Sequence, residues 1–155
     1  MGKSLVSKSG NDKVMTPIYL CQKIVNHFKP KGKILEPCCG SGNFLRVMPQ
    51  ADWCEIDKGK DFLQIESKYD WIITNPPYSK YREFLIKSML IADNIVFLIP
   101  LVHIWTKARL RIMMENKFGI KEIYCVDTPK EFPQMGFQFG CVYYKKNYVS
   151  KTITQ

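Results

Sequence analysis

Histidine is scarce in this 155-residue sequence, with only two copies, and none of its six cysteines sits in a CxxC pair. Cys38 and Cys39 are adjacent and the others are scattered. The ligand spacing of a closed tetrahedral zinc site is therefore missing, and no metal is expected. The longest apolar run, NIVFLIPLVHIW, is well short of the ~20 residues that cross a bilayer. The N-terminal MGKSLVSKSGNDKV is polar and has no apolar signal-peptide core, so the expectation is a soluble, cytoplasmic protein with no membrane partner. In that setting the cysteines read as buried free thiols, four of which (Cys38, Cys54, Cys125 and Cys141) lie in apolar, strand-like runs. Two nucleotide-binding signatures are also missing. No Gly-Lys-Ser/Thr follows a glycine turn, and Leu45 stands where the third glycine of GxGxxG would fall. Acidic residues are few: 14 against 23 Lys plus Arg, a formal charge of +9. That imbalance favours a polyanionic partner, a nucleic acid above all.

Hydrophobic residues make up 46% of the chain, enough for a core, and no repeat, low-complexity tract or Pro/Gly/Ser-rich linker divides it. The reading is a loose tail over 1–12 and one domain over 13–150. TPIYLCQKIVNHF opens with Thr16 as N-cap and Pro17 at the first helical position, and Ile18, Cys21, Ile24, Val25 and Phe28 fall on one helical face. KILEPC is a strand running into the glycine turn CGSGN, and a helix begins at NFLRVM. DWCEID, DFLQI and YDWIITNPP read as further strands. KYREFLIKSMLIAD is a helix with Tyr81, Phe84, Leu85 and Met89 on one stripe. NIVFLIPL is a buried strand, TKARLRIMMENKFG a helix that Gly119 ends, and IKEIYCVD and FGCVYYKKN two last strands. Alternating strands and helices predict an α/β fold with a largely parallel sheet, its last two strands pairing antiparallel at one edge.

Ligands of such sheets bind beyond the carboxyl ends of the strands. The polar residues Glu36, Glu55, Asp61 and Asn75 fall at or just past those ends. Gly40 and Gly42 permit a tight turn that a ligand can approach closely, leading into a helix N-terminus that favours an anionic group. Glu55 can accept hydrogen bonds from ribose hydroxyls, while Asp61 beside Phe62 pairs an acceptor with an aromatic surface. Asn75-Pro76-Pro77-Tyr78 ends a strand abruptly. Two prolines in succession remove two donors and fix two φ angles, so Asn75 is held rigidly.

In this order, LEPCCGSGNF, EID, DFL and NPPY resemble the class I S-adenosylmethionine-dependent methyltransferases. The closer resemblance is to those that modify the exocyclic amine of adenine, with the motif order of the gamma-type DNA adenine enzymes. The resemblance runs from Thr16 to about Lys146. It implies the Rossmann-like class I fold with helices on both faces and an antiparallel edge strand, S-adenosylmethionine as cofactor, and methyl transfer to adenine N6 in DNA. It places Thr16, Glu36, Cys38, Gly40 and Gly42 around the methionine end of the cofactor, Glu55 on the ribose, and Ile56, Asp61 and Phe62 around its adenine. It makes Asn75, Pro76, Pro77 and Tyr78 the catalytic loop, with Asn75 also against the cofactor. Tyr78 would stack on a flipped target base, together with Phe132 of EFPQMGFQFGCVYY or, as the alternate, Phe137. His27 and His103 read as structural or surface residues, and Lys80, Arg82, Lys107, Arg109 and Arg111 as possible phosphate contacts.

Enzymes of that family acting at defined DNA sites usually carry a separate recognition region, for which this domain has no length left. Specificity would then be short, be supplied by a partner subunit or a homodimer, or be directed at structured RNA. Other readings are an RNA adenine enzyme, a protein glutamine methyltransferase using the same loop, and a silent partner subunit.

Overall fold

The apolar runs of the sequence become the strands of one sheet. The computed structural model describes residues 14–151, so the expected tail over 1–12 lies outside the described residues. Strands β1 (Ile34–Glu36), β2 (Asp52–Trp53), β3 (Tyr69–Thr74), β4 (Ala92–Pro100), β5 (Phe118–Val126) and β6 (Phe139–Lys146) lie in the order β2-β1-β3-β4-β6-β5. The first four run parallel. Strand β6 slips between β4 and β5 and is antiparallel to both; the segment between β5 and β6 forms no helix that could carry a parallel crossover.

Side chains alternate across the sheet with period two, so each strand feeds two cores. Ile72, Ile95, Phe97, Ile99, Val142 and Tyr144 face one side, under α3 (Tyr81–Ile91) and α4 (Lys107–Glu115). Ile73, Val96, Leu98, Cys141 and Tyr143 face the other, under α1 (Ile18–Phe28) and α2 (Asn43–Val47). Helices thus cover both faces, which is why β3 and β4 read as unbroken apolar runs. The predicted stripe of α3 is buried in full: Tyr81, Phe84, Leu85 and Met89.

Several local expectations are corrected. DFLQI is not a strand. Phe62–Gln64 form a 3-10 turn capped by Asp61, whose Oδ1 accepts from the Leu63 amide at 2.9 Å. A short acidic side chain satisfies the backbone locally and competes with ladder pairing. Thr16 does not cap α1. Pro17 holds the cap position, and no side chain bonds the helix end. Ile18 is exposed rather than part of the buried face. The five-residue α2 is too short to carry much dipole to the glycine turn. Gly119 does not end α4. Asn116 closes the helix, Lys117 takes the left-handed turn at φ 60°, and Gly119 already lies in β5. All six cysteines are free, but Cys125 is exposed rather than buried. Among the described residues no helix is long and apolar enough to cross a membrane, and no group of His, Cys, Asp or Glu is placed to hold a metal ion.

Candidate active site

The carboxyl ends of β1, β2 and β3 bring the glycine turn, Glu55 and the Asn-Pro-Pro-Tyr loop to one rim of the sheet. At the centre is Glu36, the last residue of β1, 1% exposed. Its Oε1 accepts from the Thr74 hydroxyl at 2.5 Å and from the Cys38 amide at 3.1 Å. Burial pushes this carboxyl up to about 8, against the pull of those two donors. The Cys38 thiol lies 2.9 Å from Thr74 Oγ1 and donates to the Asn75 carbonyl at 3.3 Å. It therefore ties the turn after β1 to the loop after β3. Burial holds this thiol well above its ordinary range, with the nearby Glu36 acting the same way, so Cys38 is a neutral tether and not a nucleophile.

Gly40 and Gly42 take φ of 51° and 83°, conformations that favour glycine. A Cβ on Gly42 would meet nothing within 4 Å, so that side of the turn is open to a ligand. A Cβ on Gly40 would lie 2.6 Å from Met15 Sδ. Met15, which nothing in the sequence pattern singles out, lies over the turn and accepts from the Ser41 amide through its sulfur at 3.3 Å. The cleft between these groups is about 30 Å³, room for about one water molecule. Glu55 receives the Gly40 amide at 2.8 Å and the Asp57 amide at 3.3 Å, which fixes its carboxylate beside the turn. Ile56 is 61% exposed next to it. Phe62, expected to offer its face beside Asp61, is instead 2% exposed and packs 4.8 Å from Phe84. It anchors the turn that carries Asp61.

Asn75 is oriented by two acceptors. Its Nδ2 donates to the Val14 carbonyl at 3.3 Å and to Thr16 Oγ1 at 3.2 Å, so its amide oxygen must point the other way. That Oδ1 is buried and has no hydrogen-bond partner among the described residues. Such an orphan costs roughly 1–3 kcal/mol. Pro76 is buried and Pro77 half-buried. The Pro77 carbonyl accepts from the Lys80 amide at 3.0 Å, starting the 3-10 turn Tyr78–Lys80 that runs straight into α3.

The half-buried Tyr78 ring lies between two loops, 6.1 Å from His103 after β4 and 6.4 Å from Phe139 at the start of β6. Of the two aromatics predicted to meet a target base, Phe132 is 3% exposed and set edge-on to Phe139 at 5.3 Å, whereas Phe137 is 47% exposed. Phe132 is a core residue here, and Phe137 is the one at the surface. Arg109, expected as a phosphate contact, is committed internally. It donates to the His103 carbonyl at 2.6 Å and stacks 4.6 Å over the Tyr81 ring. Burial, then Arg109, pulls the His103 imidazole below its usual range.

No family model and no curated protein matches the sequence. Solved structures do resemble it. A candidate RNA methyltransferase from Pyrococcus horikoshii superposes with a TM-score of 0.62 at 14% identity, covering 88% of each chain. Magnesium protoporphyrin IX methyltransferase from Synechocystis, solved with bound S-adenosylmethionine, gives 0.59 at 12% identity over 83% of this chain and 79% of its own. A dimethyladenosine transferase from Plasmodium falciparum gives 0.59 at 14% identity over 85% of this chain and 62% of its own. The chain has the class I methyltransferase fold. Ligands of open α/β sheets bind beyond the carboxyl ends of the strands, and the rim carrying Glu36, Glu55 and Asn75 lies at those ends.

Proposed function

We propose that this chain is an S-adenosylmethionine-dependent methyltransferase that methylates the exocyclic N6 amine of adenine in DNA. The observation that carries the reading is the orphaned Asn75 Oδ1, a buried acceptor held by a rigid two-proline loop beside an open glycine turn. An exocyclic amine has the N–H donors this oxygen is missing. The candidate RNA methyltransferase and the dimethyladenosine transferase among its structural neighbours support a nucleic-acid substrate, and so does the +9 charge.

The cofactor, when bound, supplies a methyl group already activated on a sulfonium. The chain's residues then bind and align. Gly40 and Gly42 would take the methionine end, with Thr16, Glu36 and Cys38 behind it. Glu55 would accept the ribose hydroxyls. Ile56 would pack on the adenine, and Asp61, on the turn anchored by Phe62, would accept its amine. For the methionine end to reach the turn, the Met15 side chain must swing out, and at 44% exposure it has solvent to move into. The lone pair of an adenine amine is delocalised into the ring, which makes it a poor nucleophile. Asn75 Oδ1 and the Pro76 carbonyl would accept its two N–H bonds, help localise that lone pair and stabilise the positive charge that develops on nitrogen. The two prolines keep these acceptors from relaxing, which is the gain from preorganisation. Tyr78, with Phe137, would stack on the flipped base and offset part of the unstacking cost.

The names of those neighbours favour a second reading, the same chemistry on RNA adenine. One assay separates the two. The purified chain is given tritiated cofactor with duplex DNA, single-stranded DNA or total RNA, and the labelled nucleoside is identified. N6-methyladenine from DNA is expected. Label only in RNA would transfer the mechanism to the second reading. Asn75→Ala should lower turnover by about 10²–10³-fold, the scale of one lost preorganised partner, while cofactor affinity stays within a few-fold. Undiminished turnover would remove Asn75 from the chemistry.

A further inference from the structure

The loop after β4 and the loop before β6 are joined at the rim. The Leu101 amide donates to the Gln138 carbonyl at 2.9 Å, and Pro100 pairs in register with Phe139. Tyr78 of the Asn-Pro-Pro-Tyr loop lies between them. Each loop exposes large apolar side chains there: Val102 (46%) and Trp105 (54%) on one, Met135 (42%) and Phe137 (47%) on the other. Apolar side chains grouped around a site mark an interaction surface more often than chance exposure does.

The surrounding charge identifies the partner. No acidic residue occurs from 101 to 114 or from 132 to 138. Thr106 caps α4 by accepting the Arg109 amide at 3.3 Å. This sets Lys107 and Arg111 one helical turn apart, and both are exposed. Lys80 and Arg82, also exposed, lie just after Tyr78, separated from it by Ser79 and from each other by Tyr81. None of these four cations is in an ion pair among the described residues. Arg109, the cation between Lys107 and Arg111, is turned inward onto His103 and Tyr81, which ties the loop after β4 to the start of α3. Exposed aromatics on the same loops and helix starts as exposed cations suit nucleic acid, whose bases stack and whose phosphates attract.

We propose that this rim is the surface that grips duplex DNA around the target adenine, with Trp105 stacking on the opened base step and Lys107 and Arg111 on the flanking phosphates. The inference rests on the methyltransferase reading of the Asn75 loop. It also explains how a domain this small could hold a flipped base: opening a base step costs stacking energy, and an aromatic wedge returns part of it.

The test measures binding of the whole chain, with S-adenosylhomocysteine present, to a dye-labelled adenine-containing duplex across a salt series. Trp105→Ala should weaken binding roughly tenfold or more. Trp105→Phe, which keeps a stacking face, should recover most of that loss. Lys107→Gln and Arg111→Gln should each reduce the slope of log affinity against log salt by about one. The control is Leu90→Ser. Leu90 is 55% exposed but lies just before β4, at the opposite end of the sheet, and its replacement should change nothing. Wild-type affinity in Trp105→Ala, an equal loss in Leu90→Ser, or single-stranded RNA displacing the duplex would overturn the proposal. Methyl transfer measured in the same samples keeps the two readings apart. Retained DNA methylation with an unaffected Trp105→Ala variant rejects only the docking surface. Absence of transfer to any nucleic acid rejects the nucleic-acid methyltransferase reading, and the affinity series still decides the surface.

Discussion

Glu36 is a carboxyl that the fold keeps neutral. Buried, with its proton held up to a pKa of about 8 from an ordinary 4.5, it binds a proton in the folded state over a range where the unfolded chain has released it. The sign follows from linkage: where the native state holds more protons, stability falls as pH rises. The contribution of this group is complete below about pH 4.5 and is lost progressively up to about pH 8. Urea melts at steps across that window should show midpoints that decline with pH, and Glu36→Gln should flatten the decline. A wild-type curve already flat from pH 5 upward would mean that Glu36 is ionised in the native protein. The surrounding site was legible in the sequence to the extent that its residues are motif-bound. Glu36, Gly40, Gly42, Glu55 and Asn75 do converge on one rim, because each ends a strand or follows one. The orientation of Asn75 was not legible, since it depends on the Val14 carbonyl and Thr16 hydroxyl, which are close only in the fold. The same holds for Met15 over the glycine turn. Phe62, Phe132 and Phe137 sit in similar local sequence, and only packing decides which two are buried.

Strands β3 and β4 could be read from the sequence because sheet strands covered on both faces are continuously apolar. DWCEID reads as a strand and does carry β2, though only over Asp52–Trp53; the Asp61 turn was harder. A two-residue strand leaves almost no periodic signal, and a side-chain cap can replace ladder bonds over so short a stretch. Gly119 shows the same limit from another direction. A glycine after a helix suggests a stop, yet this one lies within β5, where a Cβ would fall 2.0 Å from the Tyr148 carbonyl oxygen. The segment after β6 folds back there, and the Ser150 hydroxyl accepts from the Ile120 amide at 2.8 Å. Since the obstacle is backbone rather than a flexible side chain, Gly119→Ala should destabilise the protein by about 3 kcal/mol, the upper end of overpacking costs. Chemical denaturation measures this directly, and a loss below about 0.5 kcal/mol, the scale of an ordinary surface change, would mean the return segment is not packed against β5.

Across the whole molecule the charge is far from balanced. The chain carries +9, and among the described residues the acid–base contacts are the Lys146–Asp93 pair and the hydrogen bond between His27 and Glu122. Excess like charge favours expansion of the chain and also attracts a polyanion. Salt should therefore act in opposite directions on the two properties. Raising sodium chloride from roughly 50 to 200 mM should increase the melting temperature while weakening duplex binding steeply. If both fell together, the cations would be stabilising the fold through pairs rather than waiting for a partner. The strand order has a separate consequence, for the time at which the molecule becomes complete. β4 and β5 are not neighbours; each is hydrogen-bonded to β6, the last strand among the described residues. Until residues 139–146 have left the ribosome, β4 presents an unpaired apolar edge and β5 has no ladder to join. The sheet cannot close before β6 emerges, and a nascent chain stalled just short of β6 would display the kind of bare edge that chaperones bind and that aggregates grow from.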